Sequence, residues 1–386
     1  LSTKDTIGFL NLANFETVKR EWRQIVPLSL FGLGSFINRF IATLPLIRRL
    51  CFRNYLVARP VHKLGSKQMS TTVVIPCRNE KGNIENSPAN VTVYSLGKEN
   101  GKNRFKEFWR FHYLSLKLVP KVDGVFAHQN PEYGLMVFAW TKIFGKTLIS
   151  WYTHKQVSFR LRFLNLVSNK MVSASKESFR LPSKKLTVLH HGIDTDQFTF
   201  KERTNKDTFN IVNVSRISAT KRIDTMIDIV AELKNILDKK IIFKIAGLPT
   251  LEKDKVFLQE LKNKIKNLNL EDNVEFLGSV PNDQTPALFQ EADLFFNFSK
   301  TGSLDKTGLE AMSCGCLVLA SNEAFKDILE PINSLFFIDN TDQAIANIKK
   351  IIDIDSNELR LQLRKYVEQY HNLDHLTGEL VKLFEK

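Results

Sequence analysis

"SKTGSLDKTGLEAMSCGCLVLAS", residues 299 to 321, reads as a strand end, a loop, a helix and the next strand. The run before it, Asp293 to Phe298 (DLFFNF), is short and rich in aromatics, as a buried strand should be. The chain leaves that strand at Ser299, passes through Thr301, Gly302 and Ser303, and enters a helix carrying Glu310. A short turn at Gly315 then feeds the apolar strand of "CLVLAS". Strand, helix and strand in succession, with no hairpin signal, require parallel pairing. Such a loop presents free backbone amides at a helix N-terminus, which suits an anion. Glu310, about one turn inside the helix, can accept both hydroxyls of a ribose, because a carboxylate is acceptor-only and bidentate. A capped amphipathic helix with an exposed Glu310 is the plain alternative, but Ala311 and Met312 set this glutamate in an apolar run.

The same alternation extends outward. "FNIVNVS", "KIIFKIAG" and "NVEFLG" are strands, and Ile223, Met226, Ile227, Val230, Leu233 and Leu237 form one stripe of a helix at the 3.6-residue period. In "NVSRISATKRID", Arg216 leaves a strand end and Lys221 stands at the start of the next helix. A forked guanidinium, a point-charge ammonium and a helix dipole together suit a diphosphate. A solvated loop with ordinary surface charges fits those residues equally well. Nearer the N-terminus, "NVTVYSL", "VDGVFAH", "KTLISWY" and "KMVSAS" read as strands. Helices lie over Arg104 to Leu118, over "EYGLMVFAWTKIFG" and over "VSFRLRFLNLVSN". The polar stretch "HHGIDTDQFTFKERTNKDT" is expected to link two domains, with His190 and His191 at the hinge. Amphipathic helices close the chain through Leu363 and from Leu373 to Phe384. The expected class is α/β, with parallel sheets covered on both faces.

At 386 residues the chain has room for two or three domains of roughly 100–200 residues each. Its 43% hydrophobic and 25% charged content places it among ordinary globular proteins. An excess of 55 Lys+Arg over 41 Asp+Glu admits nucleic acid, an anionic membrane surface or phosphate-bearing small molecules as partners. No arginine-rich run or RNA-binding aromatic signature supports nucleic acid. Cys51, Cys77, Cys314 and Cys316 form no C-x-x-C pair, so neither zinc nor a disulfide framework is expected, and a reducing cytoplasm fits. The apolar stretch from Ile25 to Cys51 is interrupted by Pro27, Arg39, Pro45, Arg48 and Arg49. It is too broken to span a bilayer; Phe31, Phe36 and Phe40 could lie on one, but a buried core hairpin or helix is the favoured reading.

From about residue 91 to 386 the chain resembles the retaining GT-B glycosyltransferases of family 4. "SRISATKRID", "KIAG", "VEFLGSVPNDQTPALFQEADLFFNFS" and "GLEAMSCGCLVLAS" carry the resemblance in that order. It implies that Arg216 and Lys221 hold a nucleotide diphosphate and stabilise it as it departs, and that Glu310 takes the ribose. Gly247, Ser279 and Val280 would lie near sugar and base, with Gly302, Ser303, Leu304, Asp305 and Lys306 forming the donor loop. His154, just past a strand end in "SWYTHKQ", matches a family histidine that faces the donor sugar. His128, Asn130 and Glu132 in "AHQNPEY" are assigned to the acceptor side. The family usually carries a second glutamate eight positions before Glu310, and Gly302 stands there instead. The donor would be a UDP- or GDP-sugar, with no metal or other cofactor, and the acceptor a glycan or a lipid-linked molecule. A cytoplasmic protein, with or without peripheral membrane contact, is expected.

Residues 1 to 88 read differently. "VVIPCRNEKGNIE" resembles the opening strand of GT-A family 2 enzymes, and the sequence ahead of it resembles the C-terminal end of a class I methyltransferase. Four segments are therefore expected: an N-terminal fragment over 1–88, ending at a junction near Glu85 to Asn90, a truncated acceptor-side lobe over 89–200, a nucleotide-sugar lobe over 201–371, and a C-terminal helix over 372–386 that packs back toward the first lobe. A hexosyltransferase is the expected function. The alternative is a non-catalytic remnant that binds nucleotide-sugar.

Overall fold

A computed structural model describes residues 103–385 except 205, 206, 301 and 341, together with Tyr94, Leu96 and the backbone of strand segments 15–22, 54–60, 63–64, 67–68 and 71–74. The first strands are β1 (Phe15–Trp22) and β2 (Asn54–Pro60), an antiparallel pair, then β3 (Lys63–Leu64) and β4 (Lys67–Gln68), a second such pair, and β5 (Thr71–Val74). The chain divides into two compact units, Leu1–Gly192 with Leu373–Lys386, and Ile193–Asn372.

In the first unit, five parallel strands run in the order β5-β6-β7-β8-β9. The elements after β5 are α1 (Arg104–Leu118), β6 (Gly124–His128), α2 (Pro131–Ile143), β7 (Thr147–Trp151), α3 (Phe159–Val167), β8 (Lys170–Ser173) and β9 (Leu186–Val188). Period-2 alternation sends Val125, Ala127 and Leu148 to one face, where they pack with Phe111 and Val137 of α1 and α2. Phe126, Ile149, Trp151 and Val172 point to the other, where Leu373, Leu376 and Leu380 of the final helix cover them. Helix starts are set by short polar side chains: Asn103, Asn130 and Ser158 accept from the backbone amides of Lys106, Glu132 and Leu161. The strand expected at residues 90–96 differs in the structure. Tyr94 and Leu96 lie outside any strand, and the place beside β6 is taken by Thr71–Val74, paired in register with Gly124–Ala127. The sheet thus draws its edge strand from ahead of residue 88.

The second unit holds β10 (Thr208–Val214), α4 (Ile223–Ile236), β11 (Lys240–Ala246), α5 (Glu252–Asn267), β12 (Val274–Gly278), α6 (Thr285–Glu291), β13 (Leu294–Asn297), α7 (Lys306–Ser313) and β14 (Leu317–Ala320), then α8 (Lys326–Leu329), α9 (Asp342–Ile354) and α10 (Asn357–Tyr370). α11 (Leu373–Glu385) belongs to the first unit. The sheet is parallel throughout, in the order β12-β11-β10-β13-β14. β13 and β14 are buried throughout, β10 and β11 alternate buried with half-buried residues, and Phe243, Phe295, Phe296 and Phe298 are sealed inside. Burial of each such side chain contributes about 2–3 kcal/mol. Among the described residues no helix is long and apolar enough to cross a membrane.

Candidate functional site

Strand order locates the site in the second unit. The chain starts at central β10, moves outward to β11 and β12, then returns to β13 on the other side of β10. At such a reversal the two crossover helices part, and a crevice opens at the carboxyl ends of the two central strands. Residues at those ends and in the loops beyond them line a small cavity there: Asn213, Ser215, Lys221, Asn297, Ser299 and Asp305 among them. A larger recess of about 310 Å³ opens at the opposite, amino-terminal edge, near Thr208 and Lys239. Its charges are satisfied internally, Arg203 by Asp293 and Arg360 by Asp355 at 2.6 Å, so it is better explained as a structural network.

Lys221 does not begin α4, as the sequence suggests. It ends a 3-10 turn (Ala219–Lys221), and Arg222 then adopts a left-handed φ of 55° before the helix starts at Ile223. That kink turns the Lys221 ammonium back into the crevice. Its Nζ lies 3.0 Å from both carboxylate oxygens of Asp305 and 3.4 Å from Ser299 Oγ. The side chains are only 13% and 19% exposed, so the pair sits largely out of water. Asp305 stands at the N-cap of α7 without capping it, because its carboxylate serves Lys221 instead. The first amides of α7 are left without a side-chain cap, at the positive end of the helix dipole. Arg216 is exposed, and among the described residues its guanidinium has no ion-pair partner.

The crevice floor is polar and ordered. Asn213 donates from Nδ2 to the Phe296 carbonyl at 2.9 Å and accepts from Ser215 Oγ at 2.7 Å, which ties β10 to β13. Asn297 is buried, and among the described residues its Oδ1 has no hydrogen-bond partner. Gly247 follows β11 at a φ of +148°, with its amide donating to the Gly278 carbonyl at 2.7 Å. A Cβ there would stand 1.8 Å from the Ser215 carbonyl oxygen, so only glycine lets these strand ends approach. Ser279 is exposed and Val280 half-buried beyond β12. In the donor loop Gly302 takes a left-handed φ of 64°, Leu304 is buried, and Ser303 and Lys306 are half-buried. Glu310 is 4% exposed, inside α7. Its negative charge, after burial and Cys316, helps hold the neighbouring Cys314 thiol well above the usual range. Cys316, also free and buried, is pushed up to about 12, mainly by burial. Neither thiol is a nucleophile in that state.

The remaining expected residues belong to the first unit. His128 ends β6 with its ring stacked on Trp151, centroids 6.0 Å apart. Asn130 caps α2, and Glu132 pairs with Arg160 at 2.6 Å. His154 is exposed, and its Nδ1 accepts from the Gln156 amide at 3.1 Å. Beside it, Gln129 takes a left-handed φ of 65° and donates to Thr153 Oγ1. Sequence reasoning missed Asn213, Asn297 and Ser299. Asparagine or serine at the end of an apolar strand was the available signal.

Residues 194–370 match the family described as glycosyl transferases group 1. Mannosylfructose-phosphate synthase of Agrobacterium fabrum is 26% identical over 151 residues, which is 36% of this chain and 33% of that protein. The colanic acid biosynthesis glycosyltransferase WcaL of Salmonella typhimurium is 24% identical over 282 residues, 68% of each chain. The chain therefore spans a third of the one relative and two thirds of the other. Among solved structures, HepE of Anabaena in complex with UDP superposes with a TM-score of 0.61 at 17% identity, covering 72% of this chain and 82% of that one. The fold is GT-B, and residues 194–370 are similar to the glycosyl transferases group 1.

Proposed function

We propose that this protein is a hexosyltransferase that moves a sugar from a nucleotide-diphosphate donor to a glycan or lipid-linked acceptor, with retention at the anomeric carbon. One observation carries the reading: the Lys221 ammonium and the uncapped start of α7 meet at the strand reversal of the second unit, with exposed Arg216 on the adjoining loop. A departing diphosphate gathers negative charge as the glycosidic bond breaks, and fixed donors in a partly dry crevice stabilise that charge without reorganising. Arg216 would fork onto two phosphate oxygens, and Lys221 would follow the leaving oxygen. Glu310 and the unpartnered Asn297 Oδ1 offer acceptors for hydroxyls. UDP is the favoured nucleotide because HepE was solved with it. His154 is assigned to the sugar side, and His128, Asn130 and Glu132 to the acceptor side.

Gly302, in place of the usual glutamate, supports a second reading in which donor is bound but not turned over. One experiment addresses both. Calorimetric titration with UDP and GDP measures binding, and chromatography of the UDP-sugar reports release of UDP. Binding with turnover supports a transferase, binding alone supports the second reading, and no binding of either nucleotide defeats the donor assignment.

A further inference from the structure

We propose that the first unit docks on an anionic lipid surface through helix α1. The reason lies in a helix with two apolar faces. One is ordinary: Phe111 and Ser115 are buried, and Phe111 joins Val125 and Val137 in the core. The other carries Phe105, Phe108, Trp109, His112, Tyr113 and Leu116, spaced at i, i+3, i+4, i+7, i+8 and i+11. That is one continuous stripe over three turns, and apart from half-buried His112, which leans on Trp140, its side chains are exposed. Phe105 is 71% exposed, Tyr113 63% and Trp109 58%. A helix apolar on both faces is normally buried on both, and this one is not.

The stripe is already assembled. Phe105 and Phe108 both meet Trp109 edge-on, with centroids 6.0 and 5.7 Å away, and Phe108 rests against His112 at 4.3 Å. Its borders are cationic: Arg104, Lys106, Arg110 and Lys117 flank the aromatics, against Glu107 alone. The neighbouring helices extend the same character. α2 packs beside α1, and α3 beside α2, on one side of the sheet. α2 adds exposed Ile143 next to Lys142, and α3 adds exposed Phe159 and Leu166 with Arg162, while Arg160 is paired with Glu132 of α2.

Charge decides which partner this surface fits. Protein interfaces are depleted of lysine around their aromatic cores. Aromatics bordered along one edge by Lys106, Arg110 and Lys117 match a bilayer surface, where rings enter the headgroup layer and cations meet anionic lipid. Each such cation contributes about 1 kcal/mol near an anionic leaflet, which is roughly fivefold in partitioning. With no described helix able to span a bilayer, contact would lie along its surface.

The test is co-sedimentation of the full chain with vesicles of phosphatidylcholine alone, or mixed with phosphatidylglycerol. Wild type should bind the mixed vesicles, and raised salt should release it. Phe105→Ser with Trp109→Ser should lower partitioning by roughly tenfold or more, because two exposed rings are lost. Arg104→Gln with Arg110→Gln should lower it roughly 25-fold on mixed vesicles and little on neutral ones. Lys262→Gln with Lys266→Gln on α5 of the second unit should change it little. Brominated lipid should quench wild-type fluorescence more strongly than that of Trp109→Phe. Circular dichroism checks that every variant is folded. Failure of wild type to bind, or equal binding by the aromatic variant, overturns the proposal. So does a lipid-free dimer that the aromatic variant dissolves, which would make a second copy the occupant.

Discussion

Replacing Lys221 by Met and Asp305 by Asn, singly and together, tests how the crevice is wired. Lys221→Met leaves the Asp305 carboxylate 19% exposed and without its cation, with Ser299 near by. Removing one partner of a buried pair costs about 3–5 kcal/mol, and an exposed pair contributes about 0–1 kcal/mol. At 13% and 19% exposure an intermediate cost of about 2 kcal/mol is expected. For a unit of this size that lowers Tm by about 4–8 °C. Asp305→Asn keeps an acceptor for Lys221 and should cost about 1 kcal/mol. The double variant should lose less than the two single losses combined, by about 1–2 kcal/mol, because neither charge is then stranded. Nucleotide affinity should split the two. Lys221→Met removes a charge-assisted bond of about 1.5–3 kcal/mol and should weaken UDP by roughly 10–150-fold. Asp305→Asn removes a competing anion and should tighten it by roughly fivefold. Thermal melts and calorimetric titrations read both. Additive stability losses, with UDP affinity unchanged in Lys221→Met, would refute both the pairing and the phosphate assignment.

Arg216→Ala should weaken UDP binding by roughly tenfold while leaving Tm within a degree or two, since the side chain is exposed. Gly247→Ala forces a Cβ to within 1.8 Å of the Ser215 carbonyl at a φ of +148°, and should cost about 3–5 kcal/mol by denaturant titration. Leu376→Ala opens a void between α11 and the first sheet and should cost about 2–5 kcal/mol by the same measurement. Burial holds His112 below its usual pKa, and its Nδ1 accepts from the Trp140 indole at 2.8 Å. The unfolded chain therefore binds the proton more readily, so stability should fall as pH drops below about 6.5 toward the lowered folded pKa. His112→Gln should flatten that part of a pH-dependent melt.

How much was legible in the sequence differs from element to element. The helix read over Arg104 to Leu118 occupies those residues, because the apolar period is strong and Asn103 supplies a cap. The five strands of the second unit could be read from apolar runs with turn residues between them, since β13 and β14 are buried throughout and β10 and β11 keep a buried face. The 3-10 turn at Lys221 and the left-handed Arg222 left no such mark. A single departure from helical backbone carries no periodicity.

The first unit shows a further limit. Val91 to Leu96 and Thr71 to Val74 both have strand composition, and composition cannot choose between them for the place beside β6. Pairing chooses, and pairing is non-local. By itself, the sequence determined the α/β class, the period of each helix and the presence of Arg216, Lys221 and Glu310 on the loops and helix after strands. Tertiary structure alone decided that Lys221 meets Asp305, 84 residues later. It also decided that, among the described residues, Asn297 Oδ1 ends without a partner and Phe105, Trp109 and Tyr113 of α1 stay exposed. The physical reason is common to all three. Local propensity and period act through neighbours in the chain, whereas ion pairing, desolvation and exposure depend on which distant segments strand order brings together.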